Sequence, residues 1–169
     1  MSLCFNIDES IFDDPTAIIL IGPPGSGKST FAEQLLDIYP EKLVLISPDA
    51  IRKELNTEHG HKEVEVFRLV YDRLQSYLDE GKSVVYDATN CNKKHRVKIV
   101  NVASRHATNV IGLISRTDFL SCISYNDARD RPVPTDVITQ MYLNLRNNPP
   151  SMGEGYDILA YFDLKNRDD

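Results

Sequence analysis

Residues 22–30 read Gly22, Pro23, Pro24, Gly25, Ser26, Gly27, Lys28, Ser29 and Thr30, the spacing of a loop that grips phosphate. The glycines let the backbone curl until successive N–H groups, and the N-terminus of the helix that follows, point at phosphate oxygens. Lys28, expected to be a flexible loop cation, reaches the β and γ phosphates of a nucleoside triphosphate, and the Ser29 hydroxyl faces Mg²⁺. The apolar run Ala17 to Ile21 before this loop and the helical pattern Phe31 to Leu36 after it supply the strand-to-helix context that the motif requires. ATP and Mg²⁺ are therefore the expected donor and cofactor.

Three further segments carry groups suited to phosphoryl transfer. Leu43 to Ile46 read as a strand and end in Ser47, Pro48, Asp49, Ala50, Ile51 and Arg52. A carboxylate there can take the proton of an attacking hydroxyl, with an arginine one helical turn later. By residue type alone, Asp49 reads equally as the cap of the next helix, a task that Ser47 would serve as well. Ser83 to Tyr86 run into Asp87, Ala88, Thr89 and Asn90. Asp87 is expected to hold Mg²⁺ directly or through water, and Thr89 and Asn90 are hydrogen-bonding groups at the same edge, Asn90 reading equally as a turn residue. Residues 126–134 are polar and interrupted by Pro132 and Pro134. They read as a lid whose arginine, Arg129 or Arg131, would stabilise charge on the triphosphate.

Strands are expected at 17–22, 43–47, 83–87, 109–115 and 156–162, alternating with helices, so the pattern is α/β. One helix, His61 to Glu80, carries Phe67, Val70, Tyr71, Leu74, Tyr77 and Leu78 as an apolar stripe ended by Gly81; others cover Lys93 to His106 and Thr135 to Arg146. Right-handed crossovers collect the strand C-termini, and with them the candidate residues, along one edge of a mostly parallel five-stranded sheet.

The 169 residues suit a single domain, with residues 1–15 expected to be a flexible start. No apolar run approaches the roughly 18 residues of a membrane span, and the first ten residues lack the basic and apolar stretches of a signal peptide, so a cytoplasmic protein is expected. Cys4, Cys91 and Cys122 suggest neither disulfides nor zinc. The net charge of −6 argues against wrapping long nucleic acid but allows the gripping of a strand end. Between Asp87 and Asp118 lie Lys93, Lys94, Arg96, Lys98, Arg105 and Arg116 and no acidic residue. Charge alone favours a solvated helix face there over a polyanion contact.

Gly22 to Thr30, Pro48 to Arg52, Asp87 to Asn90 and Arg129 through Ile138 together resemble the polynucleotide 5′-kinase family of phage and bacterial end-healing enzymes, within the wider set of P-loop kinases that includes zeta-toxin-like proteins. The resemblance implies a P-loop kinase fold with a helical lid. It implies transfer of the γ-phosphate of ATP to the 5′-hydroxyl end of a nucleic acid, Asp49 as general base, Arg52 on the acceptor's phosphate and Arg129 as the lid arginine on the donor. It assigns the Asp87 to Asn90 turn to the acceptor and metal. Where family members carry a further arginine before the lid, this chain has Ser124 and Tyr125, and no phosphatase or ligase signature follows. The same parts would serve a kinase of a small-molecule or tRNA-linked hydroxyl, or an ATP-binding switch that phosphorylates nothing. The tail Pro149 to Asp157 is expected to close the sheet near the nucleotide base, with Tyr156 in the core.

Overall fold

The computed structural model describes residues 7–164. Five parallel strands form one sheet: β1 (Thr16–Ile21), β2 (Leu43–Ile46), β3 (Ser83–Tyr86), β4 (Asn109–Ser115) and β5 (Ile158–Phe162), in the order β2-β3-β1-β4-β5. Between them run α1 (Lys28–Ile38), α2 (Pro48–Glu54), α3 (Glu63–Asp79), α4 (Lys93–His106), α5 (Phe119–Asp127) and α6 (Thr135–Asn147). All four strand pairings are parallel, with Ile18 opposite both Val85 and Ile111.

Central β1 is buried along its whole length, because a parallel sheet is covered on both faces. Its alternation sorts the core. Ala17, Ile19 and Ile21 join Val66, Val70, Leu74 and Leu78 of α3 and Ile99, Val100 and Ala103 of α4 on one face. Ile18 and Leu20 join Phe31, Ala32 and Leu35 of α1 on the other, where the Phe31 and Phe162 rings stack at 4.3 Å between centroids. Each Val, Leu, Ile or Phe side chain so withdrawn from water contributes about 1.5–3 kcal/mol. Tyr156 is buried and its ring packs against Gly112 of β4, where any side chain would collide with Tyr156 and Leu159.

Several sequence expectations shift. The deepest stripe of α3 is Val66, Val70, Leu74 and Leu78, with Phe67, Tyr71 and Tyr77 flanking it. That helix begins at Glu63 because Lys62 adopts a left-handed φ of 52°. β5 starts at Ile158 rather than 156; Asp157 instead binds Val110 twice, its N–H to the carbonyl oxygen at 2.8 Å and its carboxylate to the amide at 2.7 Å. Within the start expected to be flexible, Glu9–Asp13 form a 3-10 turn that buries Phe12, and residues 1–6 lie outside the described residues.

The basic block disperses. Arg96 is no solvated cation: it is wholly buried, and its five N–H donors reach Glu154 through Nε at 2.9 Å and Nη2 at 2.8 Å, and the carbonyl oxygens of Asn90, Cys91 and Asn148 at 2.8–3.3 Å. It thereby joins the turn after β3 to the segment after α6. Lys98 lies over the Tyr71 ring, and Arg116 lies over Tyr161 and beside Asp163.

Candidate active site

The phosphate loop leaves β1 and returns as α1, with Gly25 and Gly27 at φ of 81° and 87°. Gly25 has a second constraint, since a side chain there would collide with the Cys122 carbonyl oxygen of α5. The loop is anchored from both neighbouring strands. Gly22 N–H donates to Thr89 O at 2.9 Å, and the Ser115 and Thr117 hydroxyls donate to Ser26 O at 2.9 and 3.1 Å. Pro23, Pro24 and Gly27 are buried, and Thr30 is half-buried in the first turn of α1.

Lys28 is not a flexible surface cation. It is 7% exposed, and its ammonium donates to Pro23 O at 3.0 Å and Ser26 Oγ at 3.3 Å. Burial pushes its pKa below the ordinary lysine value; Asp87 opposes that shift, and the nearby charge of Arg129 adds to it. The next residue, Ser29, donates through its hydroxyl to Asp87 Oδ2 at 2.7 Å, and the Asp87 N–H donates to Ile46 O at 2.9 Å. Two groups expected to share Mg²⁺ thus meet at the ends of β1 and β3. Among the described residues no cluster of three or more His, Cys, Asp or Glu could cage a metal. A hydroxyl and one carboxylate nevertheless fit Mg²⁺, which keeps several waters and shares substrate phosphates rather than occupying an all-protein cage.

At the end of β2, Ser47 accepts from Ala50 N–H at 3.3 Å and so caps α2, with Pro48 in its first turn. The capping task thus falls to Ser47 and not to Asp49, whose side chain is 74% exposed, with Oδ1 2.6 Å from Arg52 Nη1. Arg52 is 9% exposed and is held from its other side by Glu63, Nε to Oε1 at 3.0 Å and Nη2 to Oε2 at 2.8 Å. Gly60 N–H also donates to Glu63 Oε1 at 3.0 Å, anchoring the carboxylate to the connection before α3. Glu63 was missed in the sequence because a first-turn glutamate ordinarily serves the helix dipole.

The turn after β3 divides its expected residues. Asp87 and Thr89 are half-buried at the site edge, whereas Asn90 turns inward, buried at a φ of 51° with Nδ2 donating to Leu20 O at 2.7 Å. Asn90 therefore braces the end of β1 instead of presenting its amide to an acceptor. The cap of α4 is Asn92, which accepts from Lys94 and His95 N–H.

The segment expected to be a lid begins inside α5, which continues to Asp127, and residues 128–134 connect it to α6. Arg129 and Arg131 are both exposed on this connection. Beside the phosphate loop, on the β4–β5 side, a polar recess of about 250 Å³ is lined by Gly25, Ser26, Thr117, Tyr125, Asp163 and Leu164 among others.

A family model described as AAA domain matches residues 18–147. No curated protein matches. A chain of the Pnkp1/Rnl/Hen1 RNA repair complex is similar with a TM-score of 0.72 and 21% identity; the match covers 79% of this chain but only 45% of that one. Kti12 of Chaetomium thermophilum, solved with ADP-AlF3, is similar with a TM-score of 0.65 and 19% identity over 90% of both chains. A gluconokinase from Sinorhizobium meliloti 1021 gives a TM-score of 0.59 and 16% identity over 90% of this chain and 84% of that one. At these identities the shared property is the fold, that of a P-loop kinase.

Proposed function

The chain belongs to the AAA domain family, and on that premise we propose that it is an ATP-dependent kinase of the 5′-hydroxyl end of a nucleic acid. The observation that carries this reading is Asp49: a carboxylate freed from capping, open to solvent on one side and ion-paired to a fixed arginine on the other, at the end of β2, the strand that pairs with β3 whose end carries Asp87. A solvent-open carboxylate at the C-terminal end of a strand suits the positioning of a nucleophile, which a nucleotide-binding protein that transfers nothing does not need.

In this reading the triphosphate lies along the phosphate loop with Lys28 turned from Pro23 O and Ser26 Oγ to the β and γ oxygens, and its base enters the recess lined by Tyr125 and Asp163. Mg²⁺ held at Ser29 and Asp87 would neutralise charge on the same oxygens. Asp49 orients the acceptor hydroxyl and accepts its proton as the oxygen bonds to the γ-phosphorus and the bond from the γ-phosphorus to the bridging oxygen breaks, releasing ADP. The two N–H donors of Arg52 that face neither Glu63 nor Asp49 contact the acceptor's phosphate. Arg129, on the connection that leaves α5 where that helix rests on the phosphate loop, supplies the lid charge.

A second reading, kinase of a small-molecule or tRNA-linked hydroxyl, is favoured by the commitment of three Arg52 donors within the protein, which leaves fewer for a phosphate. Phosphate transfer from γ-labelled ATP to a panel of 5′-hydroxyl oligonucleotides, 3′-nucleotides, nucleosides and sugars tests both. Label on oligonucleotides and 3′-nucleotides supports the first reading, label on sugars or nucleosides alone the second, and ATP hydrolysis without transfer refutes both.

A further inference from the structure

The connection that carries Arg129 and Arg131 is shaped by one side chain. Asn126, near the end of α5, has no exposed surface, and a buried amide has to be paired on both its donor and its acceptor side. Both partners come from a single residue across the loop: Nδ2 donates to Val133 O at 2.8 Å, and Oδ1 accepts from Val133 N–H at 3.0 Å. The main-chain carbonyl of Asn126 also accepts the N–H of Arg129 at 3.1 Å. These three bonds fold residues 127–132, all exposed, back on themselves, with Arg129 at a fixed offset from the anchor.

The same residue meets the phosphate loop. A side chain on Gly25 would press on Asn126 N and collide with the preceding turn's Cys122 carbonyl oxygen, so the end of α5 rests directly on the loop backbone. One end of this strut is therefore the phosphate cradle and the other is the lid. A guanidinium held at the place where charge develops acts without reorganisation at the moment of reaction, and a misplacement of about 1 Å can cost on the order of 10²-fold in rate.

We propose that Asn126 is the positioning residue of the lid: its side-chain clamp on Val133 sets Arg129 at a fixed distance from the phosphate loop, so that the lid arginine is preset rather than recruited by the nucleotide. This rests on the reading of Arg129 given above. Asn126 touches neither donor nor acceptor and acts through the arginine alone.

A double-mutant cycle tests it, with Asn126→Ala, Arg129→Ala and the pair measured for ATP hydrolysis by water as well as for transfer, so that the identity of the acceptor does not enter. Asn126→Ala is expected to lower kcat about tenfold or more with the KM for ATP within about twofold, and the double variant is expected to be no slower than Arg129→Ala within about twofold. Val133 is only half-buried, so water can take over its freed N–H and carbonyl and the variant should fold. Asn126→Ser, which retains a hydroxyl at the clamp, provides the same cycle if the alanine variant fails to fold. Should Arg129→Ala turn over at the wild-type rate, the lid reading falls and this proposal with it. Should Arg129→Ala be slow while Asn126→Ala is not, or should the two losses multiply, the lid reading stands and the positioning role alone is overturned.

Discussion

Arg52 and Glu63 meet fork to fork across the connection between α2 and α3, Nε to Oε1 at 3.0 Å and Nη2 to Oε2 at 2.8 Å, and this pairing turns the remaining edge of the guanidinium towards Asp49. Glu63→Ala frees that edge to rotate. Turnover with acceptor should fall about tenfold or more and the acceptor KM should rise, with the KM for ATP unchanged; Glu63→Gln should fall between. Equal effects on donor and acceptor constants would reject the role. The pair also has a pH signature. Hydrogen bonds from Arg52, aided by the Gly60 N–H and opposed by burial, hold the Glu63 carboxyl below its usual range. Its contribution to stability is therefore complete above the ordinary glutamate pKa and lost as pH falls through the lower folded value. Acid melting curves of Glu63→Gln should lack that loss.

Lys28→Met should abolish transfer and raise the melting temperature. The cause is the buried ammonium, whose pKa is lowered chiefly by burial. For a cation so shifted, the unfolded chain binds more protons in the window between the folded and unfolded values, so stability rises with pH there and the full cost is present below the folded value. Melts of both proteins across pH should show a gain for the variant that shrinks as pH rises towards the ordinary lysine value. A gain that is absent at every pH, or that grows as pH rises, would contradict this.

Arg96 and Glu154, both buried, should be costly to separate. Arg96→Ala leaves a carboxylate without its partner, at a cost of about 3–5 kcal/mol, whereas Arg96→Met with Glu154→Leu removes both charges and should be milder. Calorimetry of the two variants beside the wild type checks the order; a single variant as stable as the double would overturn it.

Arg129→Ala and Arg129→Lys should both lower kcat and kcat/KM together with little change in ATP affinity, because lysine lacks the planar fork. Arg131→Ala should matter less under the proposed assignment of the lid role to Arg129. A crippled Arg131→Ala beside an active Arg129→Ala would place the lid arginine at Arg131.

The phosphate loop and the sheet were legible because their signals are local: glycines and Lys28 at fixed spacing, and apolar runs such as Ala17 to Ile21 that both faces of a parallel sheet demand. The meeting of Ser29 with Asp87 lies on the edge where the strand C-termini were expected to gather, but that β3 is the neighbour of β1 comes from the structure. What escaped the sequence was pairing at a distance. Glu63, Asn126 and Glu154 look like ordinary helix or turn residues until their partners Arg52, Val133 and Arg96 are found across the fold. Asn90 was misread for a related reason, because an amide at a strand end serves an acceptor or a neighbouring carbonyl equally well, and only the left-handed backbone at that position turns it towards Leu20.

The central claim is that Asp49 activates a nucleic-acid 5′-hydroxyl. Its most direct test is label transfer from γ-labelled ATP to a 5′-hydroxyl oligonucleotide, with the 5′-phosphorylated oligonucleotide as blank, by the wild-type protein and by Asp49→Asn. The account predicts label at the 5′ end of the hydroxyl oligonucleotide alone, and turnover on the order of 10² lower in Asp49→Asn with ATP affinity little changed. Label absent from the 5′ end, or an Asp49→Asn variant that loses ATP affinity yet turns over normally at saturation, would contradict it.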